Sequence, residues 1–400
     1  MTPRFSNATA IGVAGAGTMG SGIALVAAAA GHSVVLFDSF PGAIDRARAA
    51  HAGTYQKLIE KGKITADEST AILSRIVYTD QPKDLVDSGL IIEAIVEDLG
   101  VKQSLFTTLE TIVSDPCVLA SNTSSLSVTS IGGELRLPSR FLGIHFFNPA
   151  TLMPLVEIIP GLQSDTELVN DVRALINSWG KTTVLVKDTP GFIVNRVARP
   201  FYGESIRIFE EGWLDVPEGA AGMATIDWAL REHGGFRMGP FELMDLIGND
   251  INYTVTETVW KQFYNDPRYR PSLTQKRMVE AKRYGRKSGA GYYDYAAGAV
   301  LPEPDKDPVR AARILHRVLS MLINEAADAC YFKIASPADI DLAMTKGVNY
   351  PKGLLRWCDE LGAAQVVKEL EALREEYSEE RYRPSVLLKR MAREGLKFHA

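Results

Sequence analysis

A strand-sized apolar run, Ala10–Ala14, leads into Gly15-Ala16-Gly17-Thr18-Met19-Gly20, after which the pattern turns helical. Glycines at that spacing allow a tight turn and close backbone approach, the opening of a strand–turn–helix unit in a parallel α/β sheet. A second strand pattern follows and ends in Asp38, close to the spacing of about 20 residues expected for a ribose-binding carboxylate. A pyrophosphate would then sit on the helix N-terminus. Asp38 would accept hydrogen bonds from the adenosine ribose hydroxyls and repel a 2′-phosphate, favouring NAD over NADP. Without a ligand, the same segment reads as a glycine-rich turn.

Further apolar runs continue the series at Ile76–Thr79, Leu90–Ile95, Val118–Ser121, Phe141–His145, Leu155–Ile159 and Thr183–Val186. They are β-branched or Leu-rich without alternation, as expected of strands covered on both faces. Helical patterns lie between several of them, at Met19–Ala30, Val101–Val113 and Glu167–Ser178. The alternation predicts a parallel, doubly wound sheet of Rossmann type. The helical stretch from Ala43 to Arg75 is too long for a simple crossover and predicts an inserted hairpin projecting from the sheet.

After Asp188 the chain reads as helices. Asp188-Thr189-Pro190 has the form of a helix start, with Thr189 as cap and Pro190 at the first helical position. A Gly-, Pro- and charge-rich stretch, Ala296 to Pro308, reads as a linker into a second helical region that repeats the first. Ile226-Asp227-x-Ala229 recurs as Ile340-Asp341-x-Ala343, and Gly239, Asp245 and Gly248 align with Gly353, Asp359 and Gly362. Arg268-Tyr269-Arg270-Pro271-Ser272 recurs as Arg381-Tyr382-Arg383-Pro384-Ser385, and Lys276-Arg277-Met278 matches Lys389-Arg390-Met391. Two clusters in order predict a duplicated domain. The expected organisation is 1–188 for the nucleotide-binding sheet with its hairpin, then two tandem all-α domains, 189–296 and 309–400.

A chain of 400 residues with 46% apolar content has material for several real cores and is not disordered. Its net charge of −5 argues against nucleic acid as a partner. Cys117, Cys330 and Cys358 form no metal or redox spacing and read as packed thiols of a reducing compartment, the cytoplasm. The uncharged run from Phe5 to Phe37 resembles a leader or membrane span, but glycines interrupt it throughout, and neither export nor anchoring is expected. No metal-ligand pattern is present among the histidines.

Several segments resemble the 3-hydroxyacyl-CoA dehydrogenase family: Gly15–Gly20 with Gly31-His32-x-Val34-Val35-Leu36-x-Asp38, Glu93-Ala94-Ile95-Val96-Glu97, and Ser121-Asn122-Thr123-Ser124-Ser125-Leu126. Gly143-Ile144-His145-Phe146-Phe147-Asn148-Pro149, Met153-Pro154-Leu155-Val156-Glu157, Asp188–Arg196 and Met238-Gly239-Pro240-Phe241-Glu242 continue the set in family order. The duplicated tail resembles that of the fatty-acid-oxidation multienzyme, without any hydratase part. The resemblance implies NAD-dependent interconversion of (S)-3-hydroxyacyl-CoA and 3-oxoacyl-CoA.

On its own, His145 at a strand end reads first as a satisfied core residue and only second as a catalytic one. Glu157, in Leu-Val-Glu-Ile-Ile, is costly unless paired, and a neighbouring imidazole is a fitting partner for moving a hydroxyl proton while hydride leaves the same carbon. The resemblance places the family's catalytic His and partner Glu on His145 and Glu157. It places the substrate-contacting Ser on Ser124, in a loop otherwise read as turns and caps, and the Asn that holds the substrate carbonyl across the interdomain cleft on Asn195. Beside Gly15, Ala16, Gly17, Thr18, Met19, Gly20 and Asp38, cofactor contacts carry over to Glu97, Lys102, Ser124, Asn148 and Lys287; taken singly, Glu97, Lys102 and Lys287 read as ordinary surface. Thr54, Lys57 and Lys61 share one face of the hairpin, and the family's CoA contacts fall on Thr54 and Lys61, with Thr standing for Ser. Such a face reads equally as solvated lysines.

Other departures are Arg237, where the family has Pro, and His316-Arg317, which a gapped alignment sets against Asn195-Arg196. The second copy therefore reads as structural, packing on the first as a second subunit would, and the chain as a monomer or homodimer. Short acyl chains such as acetoacetyl-CoA are the first expectation, with 3-hydroxyadipyl-CoA as the alternative. The rivals are an oxidoreductase of the same fold acting on a free hydroxy acid, and a non-enzymatic NAD- or CoA-binding protein.

Overall fold

The computed structural model describes residues 4–399. They divide into two compact units, the boundary falling between Thr189 and Pro190.

Unit 1 is one sheet wrapped by helices. Its strands are β1 (Ile11–Ala14), β2 (Val34–Phe37), β3 (Ile76–Thr79), β4 (Leu90–Glu93), β5 (Val118–Ser121), β6 (Phe141–Phe146), β7 (Leu155–Pro160) and β8 (Thr182–Leu185). Their spatial order is β3-β2-β1-β4-β5-β6-β7-β8. The helices are α1 (Thr18–Ala29), α2 (Ala43–Glu60), α3 (Ala66–Leu73), α4 (Leu99–Ile112), α5 (Val128–Gly132) and α6 (Thr166–Ser178). Continuous apolar runs such as Ile11–Ala14 and Leu90–Ile92 are fully covered, as expected of strands with helices on both faces. The uncharged Phe5–Phe37 run is accordingly the β1–α1–β2 core, and no helix among the described residues is long and apolar enough to cross a membrane.

One expectation about the sheet is corrected. Six strands are parallel, but β7 runs antiparallel to β6, and β8 is parallel to β7. The eight residues between β6 and β7 hold no helix to carry the chain back, and a parallel crossover needs a dozen residues or more. The inserted hairpin forms as α2 and α3. Thr65 caps α3 in a reciprocal pair with Glu68, which ends the turn between the helices.

Unit 2 contains α7 (Val194–Val197), α8 (Arg199–Glu211), α9 (Gly219–Glu232), α10 (Pro240–Ile247), α11 (Asn249–Gln262) and α12 (Leu273–Glu280). It continues with α13 (Pro308–Tyr331), α14 (Pro337–Gly347), α15 (Leu354–Leu361), α16 (Ala363–Tyr377) and α17 (Val386–Glu394). The expected helix start at Pro190 is not there; the first helix begins at Val194. Asp188 instead accepts hydrogen bonds from Ser127 Oγ and the backbone N–H groups of Val128 and Thr129 at the start of α5. A carboxylate capping another helix leaves its own segment in a turn.

The repeat has a physical signature. Asp227 accepts from Phe241 N and Glu242 N, and Asp341 accepts from Leu355 N and Arg356 N. A Cβ on Gly239 would lie 2.3 Å from Asp227, and one on Gly353 2.3 Å from Asp341, so each buried carboxylate requires its glycine. Asp245 likewise accepts from Tyr292 N and Tyr293 N, as Asp359 does from Phe398 N and His399 N. His399 Nε2, 2.9 Å from Asp341, stands where the first copy has the Tyr293 hydroxyl on Asp227.

The copies expected as tandem domains pack into one unit. Arg196 of the first reaches Glu325 of the second at 2.5 Å, and Arg317 of the second reaches Glu204 of the first at 2.7 Å. Tyr269 donates to Glu325 and Tyr382 to Glu204. The exchange is reciprocal, as at a two-fold interface.

Candidate active site

In the strand order, β1 lies between β2 and β4, which is the switch point where open α/β sheets bind ligands outside their carboxyl ends. The glycine turn leaves β1 at that place. Gly15 has φ +107°, and a Cβ there would stand 2.6 Å from the Ala94 carbonyl. A Cβ on Gly20 would stand 1.8 Å from the Gly15 carbonyl. The fold alone thus explains these two glycines.

Gly17 is different, since a Cβ there would meet nothing within 4 Å. It is also the N-cap of α1, and no side chain caps that helix. The first-turn N–H groups, beginning at Thr18 and Met19, face an approach kept bare of side chains, a cradle suited to a pyrophosphate. Asp38 follows β2 and accepts from Ala16 N at 2.7 Å and Phe40 N at 2.8 Å, one bond to each oxygen. Each oxygen retains a lone pair for a ribose hydroxyl. The residues present therefore fit NAD.

At the end of β4 a carboxylate not singled out from the sequence organises the neighbouring turn. Glu93 is fully buried. Its Oε1 accepts from Lys102 Nζ at 2.5 Å and Ile95 N at 2.7 Å, and its Oε2 accepts from Ser121 Oγ at 2.6 Å on β5. Lys102 is buried too, and its ammonium also lies 3.3 Å from Glu97. The reading of Lys102 as ordinary surface is therefore corrected: two carboxylates pull it inward. Glu97 accepts from Thr123 Oγ1, Ser124 N and Oγ, and Ser125 N and Oγ, at 2.7 to 3.3 Å. Burial raises the Glu97 carboxyl, but Lys102 and these hydrogen bonds outweigh it, holding the group below the ordinary carboxylate range. Ser124 is thus fixed in place through Glu97.

Next along the edge, His145 is the penultimate residue of β6 and sits directly opposite Glu157 in the antiparallel register. Its Nδ1 lies 2.7 Å from Glu157 Oε2, with both side chains buried. Nδ1–H donates to the carboxylate, which makes Nε2 the acceptor in the neutral ring. Asn122, at the end of β5, accepts from Phe146 N at 2.8 Å and ties its loop to the strand that carries His145. Asn148 is exposed beyond it, before a cis bond to Pro149.

The remaining expected residues lie elsewhere. Thr54 and Lys61 are exposed on α2 and at its end, with Lys57 between them, and the Thr54 hydroxyl donates to Ala50 O. Asn195 is half-buried in α7 of unit 2. Lys287, also in unit 2, pairs with Asp250 at 2.7 Å. No group of metal-ligating side chains occurs among the described residues.

A nucleotide cradle and a histidine–carboxylate pair on one sheet edge define the class, an NAD-dependent dehydrogenase. The family model described as 3-hydroxyacyl-CoA dehydrogenase, NAD binding domain, matches residues 10–189, and the C-terminal domain of the same family matches 191–295 and again 314–397. The chain belongs to the 3-hydroxyacyl-CoA dehydrogenase family. It is 36% identical to a 3-hydroxyadipyl-CoA dehydrogenase of Escherichia coli K12, over 96% of this chain and 98% of that one. A probable 3-hydroxybutyryl-CoA dehydrogenase of Deinococcus radiodurans is 40% identical over 71% of this chain and 99% of its own length. The crystal structure of a 3-hydroxybutyryl-CoA dehydrogenase from Escherichia coli K12 superposes with a TM-score of 0.89 at 36% identity, covering 97% of this chain and 98% of that one.

Proposed function

We propose that this enzyme interconverts short-chain (S)-3-hydroxyacyl-CoA and 3-oxoacyl-CoA. The observation that carries the reading is the buried His145–Glu157 contact at 2.7 Å on the sheet edge that holds the nucleotide cradle. NAD, when bound, accepts the hydride from C3 and returns it in reduction. In oxidation, His145 Nε2 takes the proton of the C3 hydroxyl, so the substrate loses one hydride and one proton and the ring becomes an imidazolium. Glu157 holds Nδ1–H, fixes the tautomer and stabilises that charge. In reduction the same proton goes to the carbonyl oxygen at C3.

Ser124 and Asn195 hold the substrate oxygens in this reading. Gly15 to Gly20, Asp38, Glu97, Asn148 and Lys287 serve the cofactor, with Lys102 acting through Glu97. Thr54 and Lys61 serve the CoA phosphates. The segments 189–296 and 309–400 are two copies of one helical domain, only the first of them catalytic, and the chain works as a monomer or homodimer. A six-carbon dicarboxylic chain is a second reading, favoured by the full-length relative named for 3-hydroxyadipyl-CoA and by Arg199, a buried arginine with no carboxylate partner among the described residues. The test is NADH oxidation with acetoacetyl-CoA beside free acetoacetate. Turnover of the thioester alone is expected; equal turnover of the free acid contradicts the reading.

A further inference from the structure

Arg199 opens α8, and Asn195 lies four residues earlier in α7, the short helix that ends before Ala198. Its side chain is 7% exposed. Nη1 donates to Thr256 Oγ1 at 3.1 Å, the guanidinium carbon lies 4.9 Å from the centre of the Tyr202 ring, and Nε has no acceptor. The other buried arginines of unit 2 all have carboxylates: Arg196 has Glu325, Arg317 and Arg207 have Glu204, and Arg381 has Glu211. Arg199 has none among the described residues. The groups that act on its charge are the hydroxyls of Tyr202 and Tyr350, and the Tyr350 hydroxyl is itself buried without a partner. Burial pushes the Arg199 pKa down, the direction expected of a cation with no counter-charge.

The neighbouring arginines do not share this condition. Arg199 lines a water-sized cavity of about 10 Å³ with Arg207, Arg268 and Arg270 and no carboxylate, but Arg207 pairs with Glu204 and Arg268 with Asp266 and Asp328 outside it. A cation withdrawn from water without an opposite charge is destabilising, and planar, bidentate recognition of a carboxylate is what a guanidinium does best.

We propose that Arg199 is the specificity-determining residue for an acyl-CoA whose chain ends in a carboxylate. The proposal rests on the reading of Asn195 as a holder of the substrate oxygens. With the thioester end at Asn195, the carboxylate, three carbon–carbon bonds beyond C3, is the part of the chain that meets Arg199 at the start of the next helix. The Tyr350 hydroxyl then donates to the same carboxylate. An uncharged chain of equal length meets a desolvated cation there and is disfavoured.

The test compares 3-oxoadipyl-CoA with 3-oxohexanoyl-CoA, equal in chain length and different only at the end, by NADH oxidation on the full chain. The wild type is expected to favour the dicarboxylic ester in kcat/KM by roughly 30-fold or more. Arg199→Met and Arg199→Gln bring that ratio to within about threefold of unity, whereas Arg199→Lys and Tyr350→Phe retain part of the preference. Should the Met and Gln variants not fold, the Lys and Phe variants decide by the same ratio. A wild-type ratio near one, a ratio unmoved by the substitutions, or equal loss with both esters overturns the proposal. Absence of turnover with every 3-oxoacyl-CoA in the wild type is a different result, because it removes the dehydrogenase reading itself.

Discussion

His145 and Glu157 face each other because β6 and β7 pair antiparallel in one register, and a slip of one residue would turn the glutamate to the opposite face. Glu157→Gln keeps the shape but places an amide beside Nδ1, which favours the wrong tautomer. The expected outcome is a fall in kcat of about 10²- to 10⁴-fold with little change in KM, measured by NADH oxidation. Glu97 gives a pH signature. Its carboxyl titrates below the ordinary value of 4.5 in the folded chain, so it contributes stability above that pH, lost as the pH falls through the folded value. The melting temperature should therefore fall on acidification below about pH 4.5 less steeply in Glu97→Gln than in the wild type. Glu157 was legible as an unaffordable lone carboxylate in an apolar strand. The same argument applies to Glu93, which ends the apolar run Leu90-Ile91-Ile92 and is fully buried. The inward turn of Lys102 was not legible, because it depends on two carboxylates converging in space.

At the scale of elements, the eight strands and the α2–α3 hairpin were readable from apolar runs and helical periodicity, whereas the direction of β7 was not. Strand direction depends on the connection, and an apolar run looks the same either way. The helix start misread at Pro190 has a similar cause, since Asp188 serves α5, a partner distant in sequence. The turn after β4 is where element and chemistry meet. Glu93→Ala leaves the Lys102 ammonium buried with Glu97 alone, and a destabilisation of about 3–5 kcal/mol is expected in urea unfolding. Glu93→Gln with Lys102→Met removes both charges and should recover much of that loss. If the double variant is no more stable than Glu93→Ala, the pair does not act as described.

For the molecule as a whole, the duplication was readable from the paired clusters, and so was the packing of the second copy on the first, but the side chains that make the joint were only partly so. Arg196 and Arg317 align in the sequence, and Tyr269 and Tyr382 lie in the repeated clusters, but their carboxylate partners in the other copy, Glu325 and Glu204, lie outside those clusters. Because the exchange is reciprocal, Arg196→Met and Arg317→Met should destabilise the chain by similar amounts, about 3–5 kcal/mol each by urea unfolding. A cost confined to one of the two would show that the joint is not symmetric in energy. The central claim is that His145 moves the proton while NAD carries the hydride. Its most direct test is the rate of NADH oxidation with a 3-oxoacyl-CoA ester that the wild type turns over, run beside His145→Gln with NADH binding measured in both. Near-complete loss of turnover in the variant, with NADH binding retained, is the expected result. Turnover in His145→Gln within about tenfold of the wild type would contradict it.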